Sequence, residues 1–124
     1  MLLFFLILLQ HCVRNKIAYN PVLMRLSCGK SPHRLRGYWE VHGYGTLAIY
    51  KSDWDRIGGM NVEDFKNKWG GEDWEICDRI LMAGMEIERL KMMHLFHYFH
   101  SKKGMWANAS NATQPLDYTN NYWV

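Results

Sequence analysis

The chain has no apolar run long enough to cross a bilayer and no strong excess of one charge. Its longest apolar stretch, MLLFFLILL at residues 1–9, is about half of the ~20 residues that a membrane helix needs, and it lacks a signal peptide's basic leader. We therefore predict a buried strand there. The 15 Lys and Arg against 12 Asp and Glu give a net charge of +3, and no basic stripe interleaved with aromatic residues appears. This charge pattern argues against a nucleic-acid partner.

Cysteine is also scarce. The three cysteines, Cys12, Cys28 and Cys77, match no C-x-x-C zinc spacing, and we predict buried thiols with at most one disulfide. Apolar residues make up 48% of the sequence and aromatic residues 15%, which is ample for a packed core. With 124 residues, the chain is one domain or part of one.

The most distinctive segment is WGGEDWE at residues 69–75. Its two glycines allow a turn that other residues resist, and the acids after them stand where a helix would begin. Apolar residues then recur at helical spacing, so we predict an amphipathic helix of about three turns that ends near Gly84. The apolar positions of this helix are Trp74, Cys77, Ile80 and Leu81.

The acids of this segment allow two interpretations. Asp73 could cap the helix, with Glu72 as a first-turn acid that the helix dipole favours and no further role for either. Alternatively, the indole of Trp69 beside a carboxylate suits a pyranose, whose C–H face stacks on an aromatic ring while its hydroxyls bind the carboxylate. Chemistry alone leaves both interpretations open.

A histidine-rich stretch, MMHLFHYFH, follows at residues 92–100. Its histidines, at spacings of three, could be half-buried neutral imidazoles or ligands for Mn²⁺ or Zn²⁺. His97 and His100 would point in opposite directions on a flat strand, so joint ligation requires a bend. A less favoured alternative combines Cys77 with His94, His97 and His100 in a structural zinc site.

A second acidic pair, Asp53 and Asp55, has the D-x-D form of a metal motif. We assign it to the start of a short helix that Gly58 and Gly59 end, because a capping box explains both carboxylates. Asn61 is predicted to cap the next short helix. Further strands are predicted at 22–26, 46–51 and 85–90 from their alternation and their β-branched and aromatic content.

Several of these motifs resemble the β-1,4-galactosyltransferase family and its chondroitin N-acetylgalactosaminyltransferase relatives, and look closest to the β-1,4-N-acetylgalactosaminyltransferases. The resemblance covers roughly residues 17–106. It is carried by WGGED at 69–73, GYWEV at 37–41, IYKSD at 49–53, RIGGMN at 56–61 and HSKKGMW at 100–106.

The resemblance implies an α/β fold, the C-terminal part of a nucleotide-sugar glycosyltransferase (GT-A-like) domain with a mixed sheet. Residues 1–106 would form this partial domain, and 107–124 a polar flexible tail. The implied activity is hexosyltransfer with inversion, dependent on Mn²⁺, from UDP-N-acetylgalactosamine to a terminal N-acetylglucosamine or a related acceptor. Its partners would be a UDP-sugar donor and a glycan acceptor on a glycoprotein or proteoglycan.

The resemblance also implies roles for individual residues. Asp73 would be the general base that takes the proton of the acceptor hydroxyl, and Glu72 would orient the sugar. His97 and His100 would hold Mn²⁺. The implied substrate-binding residues are Trp39, Tyr44, Trp69, Gly70 and Gly71.

In the resembled family, a strand like residues 1–9 leads into metal-binding acids, whereas Gln10, His11 and Cys12 follow here. We therefore expect a fragment of a longer parent whose donor half lies upstream, or a decayed copy that keeps an inactive, lectin-like acceptor site. The parent would be a type II Golgi membrane protein whose anchor is absent from this chain. Sequons at Asn108 and Asn111 agree with a secretory route.

Overall fold

The computed structural model describes residues 2–67 and 70–101, which form helices and strands in two compact units. Of the described residues, the first unit comprises 2–21 and those between His42 and Leu90, and the second comprises Val22–Val41 and 91–101. The helices are α1 (Leu2–His11), α2 (Lys51–Arg56), α3 (Val62–Phe65) and α4 (Glu72–Met82). The strands are β1 (Ile17–Tyr19), β2 (Val22–Leu26), β3 (Gly37–Trp39), β4 (Glu86–Glu88) and β5 (Lys91–His97). The predicted tail at 107–124 lies outside the described residues.

The first unit is organised around one helix packed on a short parallel strand pair. β1 pairs with β4 in parallel, with Ile17 opposite Glu86. The core joins Ala18 of β1, Ile80 of α4 and Met85, all of them buried. Burial of these apolar side chains removes them from water and fixes α4 against the strands.

The prediction for residues 70–84 is confirmed in its backbone. Gly70 and Gly71 have φ of 93° and 92°, α4 spans 11 residues, and Gly84 follows its end with φ of 76°. The predicted apolar face is partly wrong, because Trp74 and Leu81 are 48% and 53% exposed. The buried stripe consists of Ile76, Cys77 and Ile80. At 3.6 residues per turn, Trp74 and Leu81 lie about a quarter turn or more from the centre of that stripe.

Two strand predictions in this unit are wrong. Residues 2–9 lie in α1 rather than in the predicted strand. A short apolar run does not distinguish a strand from a helix, and leucine is a good helix former. Only Ile7 in that run is β-branched. In the segment 46–51, Ala48 makes a single antiparallel bridge to Tyr19, and α2 already begins at Lys51. Within the part of the chain that is described, no helix combines the length and apolar character that crossing a membrane requires.

The second unit contains a three-stranded sheet in the order β3-β2-β5. β2 runs antiparallel to β3 and parallel to β5, so the sheet is mixed, as predicted. Along β2, Val22, Met24 and Leu26 are buried and the residues between them are half-buried, which confirms the alternation seen in the sequence. The observed α/β architecture with a mixed sheet confirms that part of the predicted fold class, whereas the placement in the C-terminal part of the domain stays a prediction.

Candidate functional site

Glu72 and Asp73 stand in the first turn of α4 and line a cavity of about 730 Å³ within the first unit. The glycine turn before them gives α4 its starting direction, since Gly71 is the residue at which the helix begins. The other lining side chains are mainly apolar and aromatic: Leu8, Cys12, Tyr44, Leu47, Ala48, Ile49, Tyr50, Lys51, Trp54, Met60 and Ile76. Two carboxylates against aromatic walls match the chemistry of a sugar-binding pocket.

One oxygen of Glu72 has no hydrogen-bond partner among the described residues. This atom, Oε2, is buried, and the carboxylate lies at the positive end of the α4 dipole. A buried carboxylate oxygen without a partner is unfavourable unless a donor reaches it. A hydroxyl donor that reached this oxygen would remove that cost.

The side of the cavity formed by Tyr44, here called the Tyr44 wall, is held in place by contacts with three other residues. The fully buried Asn20 donates from Nδ2 to the Tyr44 carbonyl oxygen at 2.8 Å. The Arg89 guanidinium stacks 3.8 Å from the centroid of the Tyr44 ring and donates to the Gly43 carbonyl oxygen at 3.0 Å. The Trp74 and Tyr44 ring centroids are 4.5 Å apart with a tilt of 51°. This wall is therefore preorganised by contacts within its own unit.

The structure brings together only some of the predicted substrate-binding residues. Glu72, Asp73 and Tyr44 line the same cavity, and the two glycines form the turn beside it. Trp69 lies outside the described residues. Trp39 belongs to the second unit, where Lys91 Nζ lies 5.4 Å from the centroid of its ring.

Sequence reasoning missed Tyr50, Trp54 and Met60 as lining residues. A signal was available for the first two, because Tyr50 and Trp54 are four residues apart at the start of α2 and helical geometry places such residues on one side. Trp54 also packs under the following turn, since a side chain at Gly59 would meet its Nε1 at 3.0 Å.

The D-x-D acids have structural contacts, although not those predicted. α2 begins after Tyr50 with no side-chain cap, so the capping-box assignment is wrong. Asp53 is 1% exposed, accepts a hydrogen bond from the Asn15 backbone nitrogen at 2.9 Å, and has Oδ1 3.7 Å from Arg56. Asp55 is exposed and pairs with Lys51 one turn away. Asp53 therefore ties the loop before β1 to α2.

Burial sets the protonation state of the two thiols in the first unit. It raises the pKa of Cys12, which lines the cavity, and the pKa of Cys77, which lies on the buried face of α4. Both groups are therefore neutral thiols and poor nucleophiles near neutral pH. The prediction of buried thiols is confirmed for these two, whereas Cys28 is exposed, and all three are free.

The second unit brings His97 and His100 together. His97 ends β5, the chain bends after it, and the Nε2 atoms of the two rings come within 3.1 Å. The rings stack with centroids 5.3 Å apart and an interplanar angle of 22°. The bend that joint ligation requires is thus present.

This pair fits the cis positions of a divalent metal ion. Two nitrogens each about 2.1 Å from one ion at a right angle stand about 3.0 Å apart. Among the described residues no group of three or more His, Cys, Asp or Glu is arranged to hold a metal, so further ligands would come from elsewhere. The same finding leaves the four-residue zinc alternative without support.

The mixed α/β architecture, the glycine turn with its two carboxylates and the aromatic cavity agree with the glycosyltransferase class that the motifs resemble. A family model described as the N-terminal domain of galactosyltransferase matches residues 24–103, and the chain belongs to that family.

Relatives of this chain carry more specific names. The N-acetyl-beta-glucosaminyl-glycoprotein 4-beta-N-acetylgalactosaminyltransferase 1 of Mus musculus is 59% identical over 101 residues, which cover 82% of this chain and 10% of the relative. Chondroitin sulfate N-acetylgalactosaminyltransferase 1 of Homo sapiens is 36% identical over 69 residues, 56% of this chain and 13% of the relative. The chain thus spans about a tenth of the length of these curated relatives. No solved structure gives a significant match. The resemblance drawn from the motifs is confirmed.

Proposed function

We propose that this chain is part of an enzyme that transfers N-acetylgalactosamine from UDP-N-acetylgalactosamine to a terminal N-acetylglucosamine with inversion. Membership of the galactosyltransferase family supports glycosyl transfer, and the name of the mouse relative supports the sugars. The observation that carries the proposal is the placement of Glu72 and Asp73 together in an aromatic-lined cavity at the start of α4.

In this proposal Asp73 is the general base. Its carboxylate takes the proton of the acceptor hydroxyl as that oxygen attacks the anomeric carbon, and UDP departs on the opposite face. Glu72 offers its buried Oε2, which has no hydrogen-bond partner among the residues that the structure describes, to a sugar hydroxyl and so fixes the orientation of the ring. The rigid Tyr44 wall helps to exclude water from the reacting atoms.

A divalent cation, which we propose to be Mn²⁺, would be held in part by Nε2 of His97 and Nε2 of His100. Bound there, it supplies Lewis-acid stabilisation for the departing diphosphate. The separation of 3.1 Å between these atoms supports the assignment. The UDP-sugar and a glycan acceptor on a glycoprotein or proteoglycan are the corresponding partners.

The charges of the cavity favour a neutral acceptor sugar. Glu72 and Asp73 both line it, so an acidic sugar such as a uronate would meet two like charges. Lys51 is the one basic residue among its described lining residues, and that lysine pairs with Asp55. An uncharged hexosamine avoids this repulsion while its hydroxyls can donate to the carboxylates.

An assay of sugar transfer with a matched pair of variants tests the proposal. The reaction holds UDP-N-acetylgalactosamine, an N-acetylglucosamine-terminated acceptor and Mn²⁺, and mass spectrometry measures the product. Asp73→Asn should lower the rate by about 10²–10⁴-fold because it removes the base, with little change in stability. Asp78→Asn, an exposed acid on the same helix, should leave the rate unchanged. Equal rates for the two variants would contradict the assignment of Asp73.

A second candidate function is sugar binding without transfer. The described lining residues of the cavity all belong to the first unit, which favours sugar binding without a contribution from a nucleotide-binding half. Binding of N-acetylglucosamine by a chain that binds neither UDP nor Mn²⁺ would favour this candidate, whereas Mn²⁺-dependent binding of UDP would exclude it.

We further propose that the parent protein resides in the Golgi as a type II membrane protein with a lumenal catalytic domain. Glycoprotein acceptors in the name of the mouse relative and the sequons at Asn108 and Asn111 support this location. Treatment with an N-glycosidase should lower the mass of the protein. The double variant Asn108→Gln, Asn111→Gln should show no such loss.

A further inference from the structure

The mixed sheet of the second unit places an acid beside the histidine pair. In the sheet register, Arg25 of β2 lies opposite Tyr38 of β3 on one side and His97 of β5 on the other. Directly paired residues project from the same face of a sheet, and residues two apart on one strand share a face. Glu40, two residues after Tyr38, continues the ladder by donating its backbone nitrogen to the Leu23 carbonyl oxygen at 2.9 Å. Arg25, Glu40 and His97 therefore stand on one face.

The Glu40 carboxylate bridges its two neighbours. Its Oε1 accepts from Arg25 Nη1 at 2.6 Å, and its Oε2 accepts from His97 Nδ1 at 3.3 Å. The Arg25 and Glu40 side chains are 25% and 22% exposed, which is more sheltered than a typical surface ion pair. Arg25 thus fixes the position of the Glu40 carboxylate, and that carboxylate fixes the orientation of the His97 imidazole.

This contact selects one form of the His97 ring. A carboxylate only accepts hydrogen bonds, so Nδ1 of His97 carries the proton and Nε2 of the neutral ring presents a lone pair. That lone pair faces Nε2 of His100 at 3.1 Å. A carboxylate that fixes the tautomer of a ligating histidine in this way commonly raises metal affinity.

We propose that Glu40, held by Arg25, is a positioning residue: it fixes His97 as the Nδ1–H tautomer, with Nε2 aimed at the space that it shares with His100. Binding of Mn²⁺ at that space rests on the proposed function, whereas the orientation of His97 does not. Glu40 lies within the GYWEV motif at 37–41, but neither that motif nor the histidine spacing places its carboxylate against His97. The proposal depends on the sheet register and on the two carboxylate contacts.

The first test uses the metal-free chain. Long-range ¹H–¹⁵N correlation spectra report which imidazole nitrogen is protonated, and the chain with 124 residues is small enough for them. His97 in the wild type should be the Nδ1–H tautomer. In Glu40→Ala it should shift towards the Nε2–H form, because the acceptor is gone. Glu40→Gln keeps the side-chain size and should give an intermediate result. A wild-type Nε2–H tautomer, or a tautomer unchanged in Glu40→Ala, would overturn the proposal.

The second test measures Mn²⁺ affinity, from the electron paramagnetic resonance signal of the free ion. Glu40→Ala should bind Mn²⁺ about 10–100-fold more weakly than the wild type, the usual effect of removing such a partner. The matched control is Glu63→Ala, which removes an acid that is 84% exposed and paired with Lys66. It should leave the affinity unchanged. Equal affinities for wild type and Glu40→Ala, with both folded by circular dichroism, would overturn the positioning role.

The two tests separate this proposal from the proposed function. If His97 has the expected tautomer, loses it in Glu40→Ala and the wild type binds no Mn²⁺, the orientation by Glu40 is supported and the Mn²⁺ assignment fails. If Mn²⁺ binds and depends on His97 but not on Glu40, the metal assignment stands and the positioning role fails.

Discussion

At position 37 the neighbouring strand leaves room only for glycine. Gly37 lies opposite Leu26 at the start of β3, and a Cβ added there would fall 1.9 Å from the Arg25 carbonyl oxygen. The obstacle is backbone, so no side-chain rotation can relieve the clash. Gly37→Ala should therefore lower the free energy of unfolding by about 3 kcal/mol or more, as measured by urea denaturation.

Gly45→Ala is the matched control for that change. Nothing lies within 4 Å of the position that its Cβ would take. The free energy of unfolding should change by less than about 1 kcal/mol, since the added methyl meets only open space. A comparable loss in both variants would mean that the close approach at Gly37 does not decide its stability.

Asp53 provides a second prediction at this scale, because its buried carboxylate joins the Asn15 loop to α2. Asp53→Ala should lower the free energy of unfolding by about 1–3 kcal/mol, because it leaves the backbone N–H of Asn15 without its acceptor. Asp55→Ala, whose carboxylate is exposed and paired with Lys51, should cost less than about 1 kcal/mol. A Mn²⁺ affinity that falls in Asp53→Ala while the free energy of unfolding stays unchanged would revive the D-x-D metal interpretation.

Among the elements, those with strong local signals were predictable from the sequence. The Gly70-Gly71 turn, α4 and the end at Gly84 follow from residues that lie within one segment. Asn61 accepts a hydrogen bond from the Asp64 nitrogen at the start of α3, as its type and position indicate. The alternation in β2 likewise reports one buried face.

Elements that depend on distant partners were not predictable. Residues 2–9 form a helix where a strand was predicted, because nothing in a uniformly apolar run distinguishes the two. Segment 46–51 has the composition of a strand but finds only a single bridge to Tyr19. In the site, the acids and the histidine pair could be named from motifs, whereas Trp54 and Glu40 required the tertiary contacts that place them.

At the scale of the whole molecule, buried acids of high pKa predict a loss of stability in alkaline solution. Burial raises the pKa of Cys12 and Cys77 above the usual 9.0, and that of Tyr19 and Tyr38 above the usual 10.0. The unfolded chain therefore releases these protons at lower pH than the folded chain. Their contribution is fully present below about pH 9 and is lost as the pH rises through the higher folded-state values.

The measurement is the free energy of unfolding in urea from neutral pH to about pH 11. It should fall steadily above about pH 9, and Cys28→Ser should show the same decline because Cys28 is exposed. A free energy that stays constant across this range would contradict the burial of these groups.

The cavity at the start of α4 is the proposed sugar site, and binding of a sugar to it can be observed directly. The measurement is a titration of the ¹⁵N-labelled chain with N-acetylglucosamine, followed by amide chemical shifts, with glucuronic acid as the charged comparison. The shifts should be confined to residues at or beside the cavity lining, should be lost in Asp73→Asn and should be weaker with glucuronic acid. These residues are Leu8, Cys12, Tyr44–Lys51, Trp54, Met60 and Glu72–Ile76. Shifts that fall elsewhere, or an acidic sugar that binds more tightly than the neutral one, would contradict the proposed sugar site.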